Sequence, residues 1–276
     1  MRQRKAFTLI ELLVVIAIIG MLLAVLVPGL KKAKDLGKRA VCLAHLHSLG
    51  LSWGLYANEH DARIVCAKTA RVFEQPGPSG GTQYRLDYLS DPYFEGYWTW
   101  AGWLDQSTPD TPEAHKACIT LGALFPYTET IKVYRCPEGM KDQWRTYAIV
   151  DSMNGHHFGP PGGPPLAPVI RKTSEIVSPG ARMVFIDEGY ASTESWTIYW
   201  DRVSWWDRIP LRHGEGTCLA FGDGHAEYWK WEDSRTVYFA KIEDPTEYIT
   251  AQTQTAQNNP DFDRVQRAVW TLKYRK

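Results

Sequence analysis

The sequence has no surplus of charge of either sign. Its 276 residues include 31 Lys and Arg and 31 Asp and Glu, so the formal net charge at pH 7 is zero. A protein that binds nucleic acid through the phosphate backbone carries a basic surface, and this balance provides no such signal. We therefore expect no nucleic acid among its partners.

Cysteine is scarce, and its spacing lacks the CxxC pairs that are typical of structural zinc sites. The five cysteines are Cys42, Cys66, Cys118, Cys136 and Cys218. Because the number is odd, at least one of them stays unpaired within a monomer. In an oxidising compartment one or two disulfides could form, with Cys136 as a candidate, and free buried thiols are an equally good interpretation.

Charge is also missing from residues 12–30, and the longer apolar run 7–30 contains a single charged residue, Glu11. At about 1.5 Å of rise per residue, the 24 residues of this run form a helix on the order of 36 Å long, enough to cross a bilayer core. The basic leader 1–6 suits a secretory signal peptide, but here the small residue Ala6 precedes the apolar run instead of following it. A carboxylate in hydrocarbon is also costly and demands a partner.

Residues 6–11, AFTLIE, resemble the processing site of type IV prepilins and of the pseudopilins of type II secretion. In that family a prepilin peptidase cuts on the cytoplasmic side, methylates the new amino terminus and leaves the apolar helix as anchor and assembly element. The resemblance implies a cut between Ala6 and Phe7, with Glu11 as the helix carboxylate that meets the amine of Phe7 in a neighbouring copy. The family prefers Gly before the cut, where this chain has Ala6. An ordinary single-pass anchor is the alternative interpretation.

A second resemblance lies near the carboxyl end. His213, nine intervening residues and Asp223-Gly224 resemble the H-X9-DG segment of a large pseudopilin-like family with the same prepilin start. Asp-Gly favours the positive φ angles of a hairpin turn, here between predicted strands on either side. Cys42 in a leucine-rich helix and the YRCP of residues 134–137 are also typical of that family.

His213 is the residue of this segment for which a site has to be considered. In a simple hairpin it lies on the order of 30 Å from Asp223, because ten residues at about 3.3 Å each separate the two. Asp187 and Glu188, at the end of an earlier predicted strand, are nearer. We expect a His–carboxylate hydrogen bond; the alternatives are a divalent cation held by Asp187, Glu188 and His213, and a catalytic His–Asp pair. Asp223 and Gly224 are expected to serve the turn alone, and we expect no bound metal and no cofactor.

These patterns and resemblances predict an α+β, pilin-like fold. A long N-terminal α-helix, membrane-spanning in its first half, packs on an antiparallel β-sheet domain with irregular insertions. The predicted divisions are a leader, a transmembrane and assembly helix, its soluble continuation, and a periplasmic β-rich domain that contains the hairpin 213–231; their bounds are 1–6, 7–30, 31–60 and 61–276. Within the last division we predict irregular structure over 62–113, short strands at 133–137 and 196–200, and a terminal helix over 260–273.

The sequence therefore predicts a membrane-anchored structural subunit and not an enzyme. The expected partners are the prepilin peptidase/methyltransferase, other pseudopilin subunits and the membrane, in a type II secretion or type IV pilus-like filament. The expected location is the inner membrane with the leader cytoplasmic, whereas the Lys and Arg count, three before the helix and five after it, favours the reverse. The alternative functions are an anchored tryptophan-rich module that binds carbohydrate or an envelope polymer, and an envelope hydrolase that uses His213 with Asp187 or Glu188.

Overall fold

A computed structural model of the chain describes residues 9–67, 71–77, 81–87, 111–141, 143–155, 167–188 and 195–271. These residues form a long N-terminal helix and antiparallel sheets, the predicted α+β arrangement, consistent with a pilin-like fold. The helices are α1 Leu9–Glu59, α2 Pro112–Thr120, α3 Phe125–Thr128, α4 Ser234–Lys241, α5 Pro245–Ala256 and α6 Pro260–Trp270. The strands are β1 Arg71–Pro76, β2 Thr82–Asp87, β3 Tyr147–Ile149, β4 Met183–Asp187, β5 Gly216–Phe221 and β6 Ala226–Lys230.

Helix α1 has two halves with opposite surroundings. Its 51 residues span about 77 Å at ~1.5 Å of rise each. Residues 9–30 are exposed along their whole length, although almost all of them are apolar. Within the described part of the chain, α1 is the one helix that is long and apolar enough to cross a membrane.

The main sheet has four strands in the order β3-β4-β5-β6, and every neighbouring pair is antiparallel. All residues of β4 and β5 are buried. Side chains alternate between the faces of a strand, so full burial requires cover on both sides. Both α1 and α6 pack against this sheet.

The second half of α1 lies on the sheet through one apolar stripe. Its buried side chains recur every three or four residues, as a helix with one core-facing side requires: Cys42, Leu46, Leu49, Trp53 and Tyr56. Each fully buried leucine contributes on the order of 1.5–3 kcal/mol. The second half of α1 is therefore packed on the domain, whereas residues 9–30 of the first half are exposed.

The C-terminal region contains three capped helices, of which the predicted helix over 260–273 corresponds to α6. The caps are side chains that accept hydrogen bonds from the first backbone N–H groups of each helix: Asp233 for α4, Asp244 for α5 and Asn259 for α6. Phe262 of α6 packs edge-on against Trp205, with ring centroids 4.8 Å apart. Helices α4 and α5 are absent from the sequence prediction, which treats their stretch as charged and polar.

The prediction of irregular structure over 62–113 is wrong in part. Strands β1 and β2 form a hairpin there, with Glu74 opposite Tyr84 and Gln75 opposite Gln83. The hydroxyl of Thr82 donates to the carboxylate of Glu74 across the pair at 2.6 Å. Strand β1 does not alternate between apolar and polar residues, although β2 does over residues 83–87, and the pairing of the two strands defines the hairpin.

The two short strands predicted at 133–137 and 196–200 are also wrong. Ile131–Tyr134 is a 3₁₀ helix, and the side chain of Thr130 caps it by accepting a hydrogen bond from the N–H of Lys132. The segment that contains Trp196 makes isolated bridges only, from Trp196 to Val150 and from Ile198 to Trp205. The N–H of Thr197 donates to a side-chain carboxylate, that of Asp207, where a strand would bond to a neighbouring backbone.

Candidate functional site

The exposed half of α1 is the first candidate. Glu11 lies in its first turn and is exposed, and the surface around it is formed by leucine, isoleucine and valine side chains. The predicted processing residues Ala6 and Phe7 lie outside the described residues. An apolar surface of this extent marks a membrane or a protein contact, because water solvates it poorly.

The second candidate is a cluster in the interior, where α1 crosses the sheet. One side-chain N, O or S atom from each of four buried residues lies within 4.8 Å of the other three. Four separate segments supply them: Cys42 from α1, Cys136 from the turn after the 3₁₀ helix, Asp187 from the end of β4 and His213 from the approach to β5.

The four side chains face one another directly. Nε2 of His213 lies 3.2 Å from Sγ of Cys136. Sγ of Cys42 lies 3.6 Å from Oδ2 of Asp187. Sulfur, imidazole nitrogen and carboxylate oxygen are the atoms that bind metal ions in proteins, and each of the four side chains presents one such atom to the centre of the cluster.

Further polar groups surround the cluster. The hydroxyl of Tyr147 donates to Sγ of Cys42 at 3.3 Å, and the backbone N–H of Glu138 points at Sγ of Cys136 at 3.4 Å. The outer nitrogen of His213, Nδ1, lies 3.4 Å from a carboxylate oxygen of Glu138. Nε of Arg212 lies 3.9 Å from Oδ1 of Asp187, so a positive charge lies beside this buried carboxylate.

The charged forms of Asp187, Cys136 and Cys42 are disfavoured by their burial. Burial raises the pKa of Asp187 to about 6 despite the nearby Arg212. A hydrogen bond to Cys42 and burial together raise the pKa of Cys136 well above its ordinary value. The hydrogen bond with Cys136 lowers the pKa of Cys42, but its hydrogen bond with Cys218 and its burial outweigh this and raise the pKa overall.

The backbone at His213 lies in the left-handed region. Its φ is 57°, and Gly214 follows with φ of 99°. Histidine is among the non-glycine residues that are enriched in this region. Seven other described non-glycine residues also have positive φ, so the backbone of His213 does not by itself mark a site.

The predicted site residues are only partly brought together. Asp187 and His213 meet in the cluster, whereas the carboxylate of Glu188 lies apart from it, 3.9 Å from the guanidinium of Arg145. Sequence reasoning missed Cys42 and Cys136 as partners, because they are distant in the chain and belong to no CxxC pair. The available signal was the place of Cys42 in the apolar stripe of α1, which predicts that its thiol faces the domain.

Asp223 and Gly224 lie in the turn between β5 and β6, away from the cluster. Gly224 has φ of 88°, which favours glycine. Asp223 Oδ1 accepts a hydrogen bond from the N–H of His225 at 3.1 Å. The turn also has a tertiary contact, since the carbonyl oxygen of Gly224 lies 2.7 Å from Nδ1 of His47 on α1.

Most described tryptophans belong to the core. Of the 12 in the chain, Trp98, Trp100 and Trp103 lie outside the described residues, and six others are buried: Trp53, Trp196, Trp205, Trp229, Trp231 and Trp270. Trp206 is exposed and lines a cleft of about 540 Å³. A second cleft, of about 430 Å³, is lined by His45, Trp144 and Cys136.

Two comparisons with known proteins give a match. Residues 1–27 match the model of the prokaryotic N-terminal methylation motif. A stretch of 47 residues is 53% identical to the type IV wide pilus major component PilA4 of Thermus thermophilus, which is 17% of this chain and 36% of that protein. The chain thus spans little more than a third of the relative it matches. No solved structure matches it.

Together the motif and the relative support a type IV prepilin-like, membrane-anchored protein and a pilin-type structural subunit. The motif match covers residues 1–27. The H-X9-DG resemblance of residues 213–224 stays a prediction.

Proposed function

We propose that this chain is a pseudopilin-like subunit that a prepilin peptidase cuts between Ala6 and Phe7. The mature subunit then assembles into, or beside, a filament of a type II secretion or type IV pilus-like machine. The observation that carries the proposal is the exposed apolar half of α1, residues 9–30, which continues without a break into a half that is packed on the domain. An exposed apolar helix of this kind is surrounded by lipid before assembly and by the helices of other subunits in the filament.

Glu11 has a specific role in this proposal. A carboxylate in hydrocarbon costs about 2.5–3.5 kcal/mol at the centre of a membrane helix. The amino group of Phe7, created by cleavage in a neighbouring subunit, offsets this cost when the helices bundle. Their pairing then sets the axial register between subunits.

The proposed orientation places the leader in the cytoplasm and the C-terminal domain in the periplasm, with the inner membrane around residues 7–30. Residues 1–6 are the leader, 31–60 the soluble continuation of the helix and 61–276 the periplasmic domain. The basic flank after the anchor has partners in the domain: Lys38 lies 3.7 Å from Glu138, and Arg39 lies over the ring of Tyr228 at 4.6 Å. These contacts support a role for the flank in packing rather than in fixing topology.

The alternative functions receive less support. A carbohydrate-binding module would present its tryptophan rings on the surface, whereas six of them lie in the core. A hydrolase that uses His213 with Asp187 would open the pair to substrate, whereas their side chains are 1% and 0% exposed. We accordingly propose that the subunit has no catalytic activity of its own.

The N-terminal peptide of the protein, isolated from native membranes, tests processing. We expect a chain that begins at N-methylated Phe7. A chain that still begins at Met1, or one cut after the apolar run near residue 30, contradicts the proposal.

Incorporation into filaments tests the role of Glu11. We expect Glu11→Ala and Glu11→Gln to be cleaved and retained in the membrane but absent from sheared filaments. Glu59→Gln is the matched control, because Glu59 ends the same helix, far from residues 9–30, and its carboxylate accepts a hydrogen bond from Tyr127. Normal incorporation of both Glu11 variants would falsify the proposed pairing.

A further inference from the structure

The buried cluster beside α1 presents donor atoms that zinc binds in proteins. Two sulfurs, one imidazole nitrogen and one carboxylate oxygen suit a tetrahedral Zn²⁺ ion. In such a site Zn–S is about 2.3 Å and Zn–N or Zn–O about 2.0–2.1 Å, so neighbouring ligand atoms lie roughly 3.3–3.8 Å apart. The distances of 3.2 Å from His213 to Cys136 and 3.6 Å from Cys42 to Asp187 are close to these values.

The surroundings are those of metal ligands. Histidine ligands usually direct their other ring nitrogen at a carboxylate, and Nδ1 of His213 faces Glu138 in this way. The hydroxyl of Tyr147 and the N–H of Glu138 point at the two sulfurs, as hydrogen bonds to thiolates do. These groups hold the four side chains in place from outside.

The charges of the site balance when a divalent cation is bound. Two thiolates and the carboxylate of Asp187 carry three negative charges, and Zn²⁺ carries two positive charges. Arg212, beside Asp187, supplies the third. Glu138 is offset separately by Lys38 at 3.7 Å, so the whole group is neutral and its burial is acceptable.

We propose that one Zn²⁺ ion is bound here by four side chains: Cys42, Cys136, Asp187 and His213. The two thiols lose their protons to solvent as the two Zn–S bonds form, so the site loads with release of protons. Four protein ligands and full burial define a closed, structural site and not a catalytic one. It fastens the assembly helix to the globular domain, since Cys42 belongs to α1 and the other ligands to the domain.

A disulfide between Cys42 and Cys136 is the competing use of the same sulfurs. A disulfide uses only the two sulfurs, whereas a cation uses all four of the donor atoms that meet here. The two possibilities exclude each other. They also differ in mass, because zinc adds its own mass less the displaced protons and a disulfide removes two hydrogens.

The metal content of the full-length protein, solubilised in detergent and purified without chelator or reductant, tests the proposal. We expect one zinc per chain by elemental analysis and native mass spectrometry, and loss of that zinc in Cys136→Ala. Cys118→Ala is the matched control and should keep it, because Cys118 is buried in α2 outside the cluster. A wild-type chain with a Cys42–Cys136 disulfide, or with free thiols and no zinc after incubation with excess Zn²⁺, overturns the proposal.

If Cys136→Ala does not fold, spectroscopy of the wild-type protein loaded with Co²⁺ tests the site instead. Wild-type protein loaded with Co²⁺ should show a thiolate-to-cobalt charge-transfer band in the near ultraviolet and the intense visible bands of a tetrahedral ion. The weak visible spectrum of octahedral, oxygen-bound Co²⁺ contradicts the site as assigned.

Discussion

His47 on α1 donates a hydrogen bond from ring Nδ1 to the carbonyl oxygen of Gly224, across a distance of 2.7 Å. Gly224 lies in the turn that follows β5, whereas His213, before β5, reaches the cluster that contains Cys42. The two ends of β5 thus contact the same helix at two points. The hairpin fixes α1 to the domain, and the apolar half of the helix extends from this fixed half.

Removal of the His47 side chain should weaken this attachment. We expect His47→Ala to lower the free energy of unfolding by about 1 kcal/mol, the usual net contribution of a hydrogen bond. Chemical unfolding of the detergent-solubilised protein, followed by tryptophan fluorescence, measures it. Ser48→Ala is the control, because Ser48 bonds only within its own helix, to Ala44. Equal effects of the two substitutions would show that the contact with the turn contributes nothing.

Two glycines should respond to alanine with opposite signs. Gly224 has φ of 88°, so Gly224→Ala should destabilise by roughly 1–2 kcal/mol through backbone strain. Gly54 lies inside α1, and a Cβ built there meets nothing within 4 Å. Gly54→Ala should therefore stabilise by up to about 1 kcal/mol through higher helix propensity. Thermal unfolding of the two variants side by side measures the signs, and a stabilising Gly224→Ala would contradict the required turn geometry.

The helix and the hairpin were predictable because their signals are local. An uncharged run, a stripe with a period of three to four residues and an Asp-Gly turn each define an element from neighbouring residues alone. The cluster was only half predictable. Asp187 and His213 follow from strands expected to lie side by side, but Cys136 comes from a turn that the sequence presents as a strand.

The elements that were missed depend on distant contacts. The segment that contains Trp196 has the alternation of a strand, yet the carboxylate of Asp207 takes the hydrogen bond of Thr197 that a ladder would need. Ile131–Tyr134 is likewise fixed by a cap and by burial of Tyr134. Such competition between a local pattern and a tertiary partner is not visible in sequence.

The stripe on α1 can be tested with two leucines on opposite sides of the helix. Leu46 is 0% exposed and Leu55 is 50% exposed. We expect Leu46→Ala to cost about 2–5 kcal/mol, because it leaves a cavity in the core. Leu55→Ala should change stability by less than about 0.5 kcal/mol in the same unfolding assay. Similar losses from both substitutions would mean that the helix faces the domain with another side.

The caps of the C-terminal helices should differ in strength. The side-chain oxygen of Asn259 accepts from the N–H of Asp261 and Phe262, and its amide donates to Thr236 and Thr255, all in the interior. We expect Asn259→Ala to cost at least about 2 kcal/mol, because buried donors and acceptors lose their partners. Asp244→Ala removes an exposed cap of α5 and should cost about 1 kcal/mol. The unfolding midpoints of the two variants measure these losses of stability. A larger loss in Asp244→Ala than in Asn259→Ala would contradict the description of α6 as part of the core.

Zinc removal should loosen the attachment of α1, if the metal site is assigned correctly. A ligand that binds only the folded state at about 100 times its Kd adds ~2.7 kcal/mol, which raises Tm by roughly 5–10 °C for a chain of this size. We expect the Tm of the full-length protein to fall by this amount in a strong chelator and to recover when Zn²⁺, but not Mg²⁺, is returned. Cys118→Ala should follow the wild type. Cys136→Ala should have a low Tm that neither chelator nor zinc alters, and a zinc response that survives in this variant would place the metal elsewhere.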